Sequence, residues 1–182
     1  ELFPDELSSS PHLNDIRALA ESGRPVYAEC GGFMLLCRAL RLDGRDVPMS
    51  NLLPVATEFL PRPQGLGYVE ASTEKETPFH PRGSSWRGHE FHYFDSTDCG
   101  SAWHAAKPLR KRNWECIHAT KRMMAGFLIA GPCGNVFASY THLFAPAVPH
   151  WAERFVAAAG NTAANRPHAP AGNDSSRKTA GA

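Results

Sequence analysis

The chain carries almost no net charge. Its 182 residues hold 19 Lys and Arg against 18 Asp and Glu, a formal +1, so neither a nucleic-acid backbone nor an anionic membrane surface is favoured as a partner. No apolar run approaches the ~18 residues that mark a bilayer span. The amino terminus, Glu1-Leu2-Phe3-Pro4, lacks the basic and apolar regions of a signal peptide. It also lacks an initiator Met, which reads as a fragment, a processed chain or a domain cut from something longer. The cysteines (Cys30, Cys37, Cys99, Cys116 and Cys133) are odd in number and form no CxxC pair. That argues against a disulfide framework and against a zinc knuckle, and a reducing cytoplasm is the expected compartment. What is left is a length sufficient for one domain with a core.

One stretch speaks for chemistry: Tyr27-Ala28-Glu29-Cys30-Gly31-Gly32-Phe33-Met34-Leu35-Leu36. An extended apolar run, Pro25 to Ala28, meets a lone cysteine, two glycines, and then a helix-like run. This is the sequence form of a nucleophile elbow, a sharp strand-to-helix turn that presents one side chain at a sheet edge. The glycines leave room for the turn and for a substrate carbonyl. A cysteine at a helix N-terminus also feels the positive end of the helix dipole, which favours thiolate. The pattern points to acyl transfer through a thioester. Without the elbow, a lone cysteine would read as a small buried hydrophobe.

The surrounding pattern is α/β. Ser10 as N-cap and Pro11 as first helical residue open a helix with Leu13, Ile16, Leu19 and Ala20 on one face and Gly23 as its stop. Pro25–Glu29 reads as a buried strand. The run from Phe33 to Leu40 reads as a helix with Phe33, Leu36, Cys37 and Leu40 on one face, so Cys37 is assigned to the core. Val47 to Leu60 is apolar but broken by Pro48 and Pro54, and residues 73 to 87 read as a polar loop. Gly67–Ala71 and Trp86–Tyr93 have strand patterns. Residues 95 to 122 give little readable pattern; Arg110-Lys111-Arg112 is read as a solvated loop, and Cys99, Cys116 and Cys133 as loop residues. Phe127–Ala130 and Val136–Tyr140 form a hairpin through Gly131-Pro132-Cys133-Gly134-Asn135. A last helix follows Pro149, carrying Trp151, Phe155 and Val156 and ending at Gly160. Residues 161 to 182 lack large apolar side chains and are expected to be a disordered tail. The folded domain is therefore expected over 1–160.

A thiol nucleophile needs a base. His142, just past a strand end in Ala138-Ser139-Tyr140-Thr141-His142-Leu143-Phe144, is the candidate, since imidazole can take the thiol proton and return it to a leaving amine; a structural histidine is the competing reading. The Gly31 N–H, directly after Cys30, is the natural oxyanion donor, and no second donor is evident. His89, Glu90 and His92 are expected to line the substrate site or to serve the structure. As an H-E-x-H string on a strand, they place the two histidines on opposite faces, and no metal site is expected.

Taken in order, Pro25–Leu36, Leu66-Gly67-Tyr68-Val69-Glu70-Ala71, Arg87-Gly88-His89-Glu90-Phe91-His92-Tyr93 and Ala138–Phe144 resemble the C-terminal glutaminase domain of the cobyrinic acid a,c-diamide synthases, including the hydrogenobyrinic acid enzymes. The resemblance covers roughly residues 1 to 160. The cobyric acid synthase branch usually has a different residue pair before the cysteine. The resemblance implies a three-layer class I glutamine amidotransferase-like α/β domain with a mixed, mostly parallel sheet. It implies that Cys30 attacks the glutamine side-chain amide, with His142 as base. The released ammonia would displace phosphate from an acyl phosphate made with ATP and Mg2+ at an upstream ATP-binding domain. The acceptors would be the a and c acetates of a corrinoid. The family's His-x-Glu acid is missing, since Phe144 follows Leu143, so the resemblance implies a Cys–His dyad. No GxxxxGK[ST] phosphate loop occurs in the chain, and the strand bearing the second oxyanion donor would precede Glu1. The chain alone is therefore not expected to ligate. Another tetrapyrrole such as nickel sirohydrochlorin, a non-catalytic scaffold, and a hydrolase of small amides stay open as alternatives. No nucleic-acid or membrane partner is expected, and a homodimer is left open.

Overall fold

The computed structural model describes residues 2–73, 76–96, 115–118, 126–130 and 134–164. Two helices open the chain, α1 (Pro4–Ser8) and α2 (His12–Glu21). The first was not legible in the sequence. The Ser10 hydroxyl accepts from the His12 N–H at 3.4 Å, and Gly23 stops α2 with a φ of 84°, a left-handed value that glycine adopts without a Cβ penalty. β1 (Val26–Glu29) follows, then α3 (Gly31–Leu36). The helix expected to reach Leu40 stops at Leu36, because Cys37 turns extended (ψ 168°) and Leu40 enters β2 (Ala39–Leu42). The apolar spacing was read correctly as burial, since Phe33, Leu36, Cys37 and Leu40 are all core residues. Short apolar runs leave helix and strand ambiguous, and here the strand partners decided.

β2 pairs antiparallel with β3 (Arg45–Pro48) and parallel with β4 (Ala56–Phe59), which in turn meets β7 (Phe94–Asp95). A second sheet is the long hairpin-like pair β5 (Gly65–Ser72) and β6 (Ser85–His92), extended by β11 (His142–Leu143). The third has the order β1, β10 (Val136–Ser139), β9 (Gly126–Ala130), β8 (Glu115–His118). β1 and β10 are parallel, with Val26 opposite Val136 and Glu29 opposite Ser139. The expected β9–β10 hairpin pairing is present, with Val136 opposite Ala130. The link residues 131–133 lie outside the described residues, as do Cys99, Cys133 and Arg110–Arg112. Cys116, read as a loop residue, sits in β8. The sheets are mixed, as expected, but among the described residues antiparallel pairings outnumber parallel ones. The parallel contacts are β1–β10 and β2–β4.

Apolar side chains cover both faces of the β1–β10 ladder, because successive strand residues point to opposite sides. Ala28, Val136 and Ala138 face a core built with Ala20, Phe33, Leu36, Leu40 and Val47. Tyr27 and Phe137 face the other way, stacked at 4.9 Å, against Phe79, Trp86, Trp151 and Phe155. The last two belong to α4 (Pro149–Ala164), preceded by a short 3-10 turn, Ala145–Ala147. Helices thus lie on both sides of a sheet, a three-layer α/β arrangement. α4 continues through Gly160 to Ala164, past the expected stop and into the segment read as a tail; flanking alanines carry the helix on. Val156 is 70% exposed and marks the solvent face rather than the packed one. Residues 165 to 182 lie outside the described residues.

Candidate functional site

The turn between β1 and α3 has the geometry the sequence promised. Cys30 takes φ 47° and ψ −108°, a strained conformation for a non-glycine residue, of the kind that concentrates at functional turns. Its backbone N–H is held by the Ser139 carbonyl at 2.8 Å, and its own carbonyl accepts the Met34 N–H at 3.0 Å. The turn is thus pinned between the sheet and the helix. A Cβ built on Gly31 would meet nothing within 4 Å, so the space beside the residue after Cys30 is open. On Gly32 a Cβ would approach that of Ala28 at 3.5 Å. Cys30 itself is half-buried.

His142 reaches the same edge from β10, through Tyr140 and Thr141. Its side chain is 45% exposed, and its Nδ1 lies 3.5 Å from Glu29 Oε2. The other carboxylate oxygen, Oε1, accepts the Leu143 N–H at 2.9 Å. Glu29 therefore ties the residue before Cys30 to the histidine strand. Burial raises the Glu29 pKa from its ordinary value, while the Leu143 N–H and then His142 pull it back. The sequence did not pick out this carboxylate. The available signal was Glu29 itself, an acidic residue in an otherwise apolar strand one position before the cysteine.

The segment 138–144 is positioned by a buried polar chain behind it. Along β6 exposed and buried residues alternate, which turns His89 outward and Glu90 and His92 inward. Glu90 is 2% exposed and accepts a 2.5 Å hydrogen bond from the Thr141 hydroxyl. His92 Nε2 lies 3.8 Å from Glu90 Oε2, its Nδ1 contacts the Phe94 carbonyl at 2.7 Å, and its ring stacks on Tyr140 at 3.9 Å. Thr141 also receives the Ser139 hydroxyl at its carbonyl, 3.3 Å, and its N–H donates to the same hydroxyl at 2.8 Å.

On the outer side, His89 lies opposite His142 in the β6–β11 ladder, with ring centroids 6.1 Å apart. A cleft of about 850 Å³ opens there, lined among others by Tyr68, Glu70, Arg87, His89, His142 and Phe144. Of the three residues expected to line a substrate site, only His89 lies on this cleft. Glu90 and His92 are in the interior, where the pleat sends them to the face that carries Thr141 and Tyr140, in keeping with the structural role that was the other reading for them. Cys30 is not among the residues lining the cleft, which meets the site at His142.

A strained cysteine at a strand-to-helix turn, with a histidine whose Nδ1 faces a carboxylate at the same sheet edge, has the form of a nucleophile elbow in an α/β domain. Comparison with known proteins makes the class specific. Residues 5–148 match the CobB/CobQ-like glutamine amidotransferase domain, and the chain belongs to that family. Among curated relatives, it is similar to the cobyrinate a,c-diamide synthase of Syntrophotalea carbinolica, 33% identical over 162 residues, covering 85% of this chain and 33% of the relative. It is 34% identical over 159 residues to that of Leptospira interrogans serogroup Icterohaemorrhagiae serovar copenhageni, covering 86% and 33%. Against that of Magnetococcus marinus it is 31% identical over 153 residues, covering 84% and 31%. The chain thus spans about a third of the length of the curated relatives it matches.

Proposed function

We propose that this domain hydrolyses glutamine to supply ammonia to an ATP-dependent amidoligase that amidates the a and c acetates of a corrinoid, cobyrinate or hydrogenobyrinate. The observation that carries the reading is the Cys30 turn, strained and pinned, with His142 held through Glu29 at the same sheet edge. In this reading the Cys30 thiol gives its proton to His142 and Sγ attacks the glutamine side-chain carbonyl. The C–N bond then breaks, and His142 returns the proton so that ammonia leaves. Water hydrolyses the thioester by the same relay, releasing glutamate and restoring the thiol. The Gly31 N–H, beside open space, suits the developing oxyanion.

The names of the relatives support the corrinoid as acceptor. ATP and Mg2+ belong in this reading to an upstream domain, and the share of the relatives' length that the chain leaves unmatched has room for one. Leu66, Tyr68, Phe91 and Phe144 stand exposed, and the last lines the cleft beside His142; such a surface suits a partner that receives ammonia there. A cytoplasmic location accords with this chemistry, and no helix among the described residues is long and apolar enough to cross a membrane.

Glutamine hydrolysis by the full-length protein tests the reading. Cys30→Ala and His142→Ala should each lower kcat by about 10²-fold or more. Normal turnover in either variant overturns the assignment. Amidation of cobyrinate against nickel sirohydrochlorin, with ATP present, decides the acceptor.

A further inference from the structure

Resting on the glutaminase reading, we infer that Glu29 is the third, positioning member of the site, supplied from the residue before the cysteine in place of the acid missing after the histidine. Position 144, where a His-x-Glu acid would stand, is a phenylalanine, 66% exposed. The carboxylate that does face His142 comes from a different strand. Its Oε1 is anchored by the Leu143 N–H at 2.9 Å, and its Oε2 stands 3.5 Å from His142 Nδ1. With one oxygen fixed by a backbone donor, the other is aimed.

That aim has two consequences. A carboxylate only accepts, so the imidazole proton is kept on Nδ1, and Nε2 is left to take the thiol proton. When His142 becomes imidazolium, the carboxylate stabilises the charge, and the 3.5 Å separation can close to a charge-assisted hydrogen bond. Glu29 and Cys30 are consecutive, so the residue that bears the thiol directly follows the one whose carboxylate faces His142. The other charged groups around His142 are Glu70, Arg87 and His89, which share its cleft. His89 has its ring 6.1 Å away.

Glu29→Gln separates this role from simple anchoring. The glutamine carbonyl still accepts the Leu143 N–H, so the fold and the strand attachment are kept. Its amide group then donates toward Nδ1 and drives the proton to Nε2, the wrong tautomer for accepting from a thiol. In the full-length protein, Glu29→Gln should lower kcat for glutamine hydrolysis by at least about tenfold with KM little changed. It should also shift the pH profile of Cys30 alkylation by iodoacetamide toward higher pH. Glu29→Asp should recover part of the loss. Wild-type kcat and an unshifted alkylation profile in Glu29→Gln would overturn the inference. A wild-type protein that fails to hydrolyse glutamine would overturn the glutaminase reading instead, and the alkylation profile would still report on Glu29.

Discussion

Gly65 and Gly88 explain why two glycines are spaced through the strands behind the site. A Cβ on Gly65 would run into the His92 ring, with Cδ2 at 2.6 Å and Glu90 Oε2 at 2.9 Å. A Cβ on Gly88 would strike the Thr141 methyl group and come within 2.9 Å of the His142 carbonyl. The first glycine makes room for the buried Glu90–His92 pair, the second for the strand that bears His142. Gly65→Ala should therefore cost about 1–3 kcal/mol, the range for overpacking a tight interior, read by urea unfolding. Gly88→Ala should cost a similar amount and also slow glutamine hydrolysis, because the backbone it displaces is that of His142. A Gly88→Ala protein with full activity would show that His142 tolerates the shift. At this scale the sequence was partly legible. The cysteine, the histidine and the glycines after the cysteine stood out by type and spacing. Glu29 did not, because its role depends on a pairing between strands far apart in the chain. For Glu90 and His92 a substrate-lining and a structural role both stayed open, because strand alternation assigns residues to faces without saying which face is inside.

Among the elements, α4 and the turn at residues 77–80 are joined through a histidine. His80 is fully buried, stacked on Trp86 at 4.0 Å and 3.4 Å from both the Tyr27 hydroxyl and His150. Desolvation, followed by His150 and Arg154, lowers its pKa from 6.5 to about 3. The unfolded chain takes up this proton as the pH drops through about 6.5, while the folded one resists until about 3. The stability His80 contributes is thus complete above pH 6.5 and is lost as the pH falls through that window, at up to about 1.4 kcal/mol per pH unit. Urea midpoints at pH 7.5 and 5.0 should show the loss in the wild type, and His80→Phe, which keeps the stacking, should show less of it. The ends of α4 and α3 were the elements least legible in sequence. Helix α4 runs through Gly160 because a glycine stops a helix only where the backbone turns left-handed, and nothing there requires it. Helix α3 gives way at Cys37 because β2 claims the next residues.

The whole molecule is closed by the β1–β10 ladder, which joins its first strand to one of its last. β10 is the only strand paired with β1 among the described residues. Removing the chain from Asn135 onward should therefore abolish cooperative urea unfolding of the domain, checked by circular dichroism; a sharp transition in the truncated protein would place the folding unit elsewhere. The α/β character was readable from the alternation of apolar runs, and the three-layer plan was implied by the family resemblance. The preponderance of antiparallel pairs was not, because β5, β6 and β11 form a separate sheet whose pairing no local pattern announces.

The same ladder has a consequence for the order in which the protein is made. Synthesis runs from the amino end, so the Glu29–Cys30 turn leaves the ribosome long before Ser139, whose carbonyl pins it, and Leu143, whose N–H holds the carboxylate. Pairings so distant in the chain are slow to form and are made late. Until β10 and β11 emerge, the thiol segment has neither its clamp nor its histidine, and a half-made chain carries an ordinary cysteine.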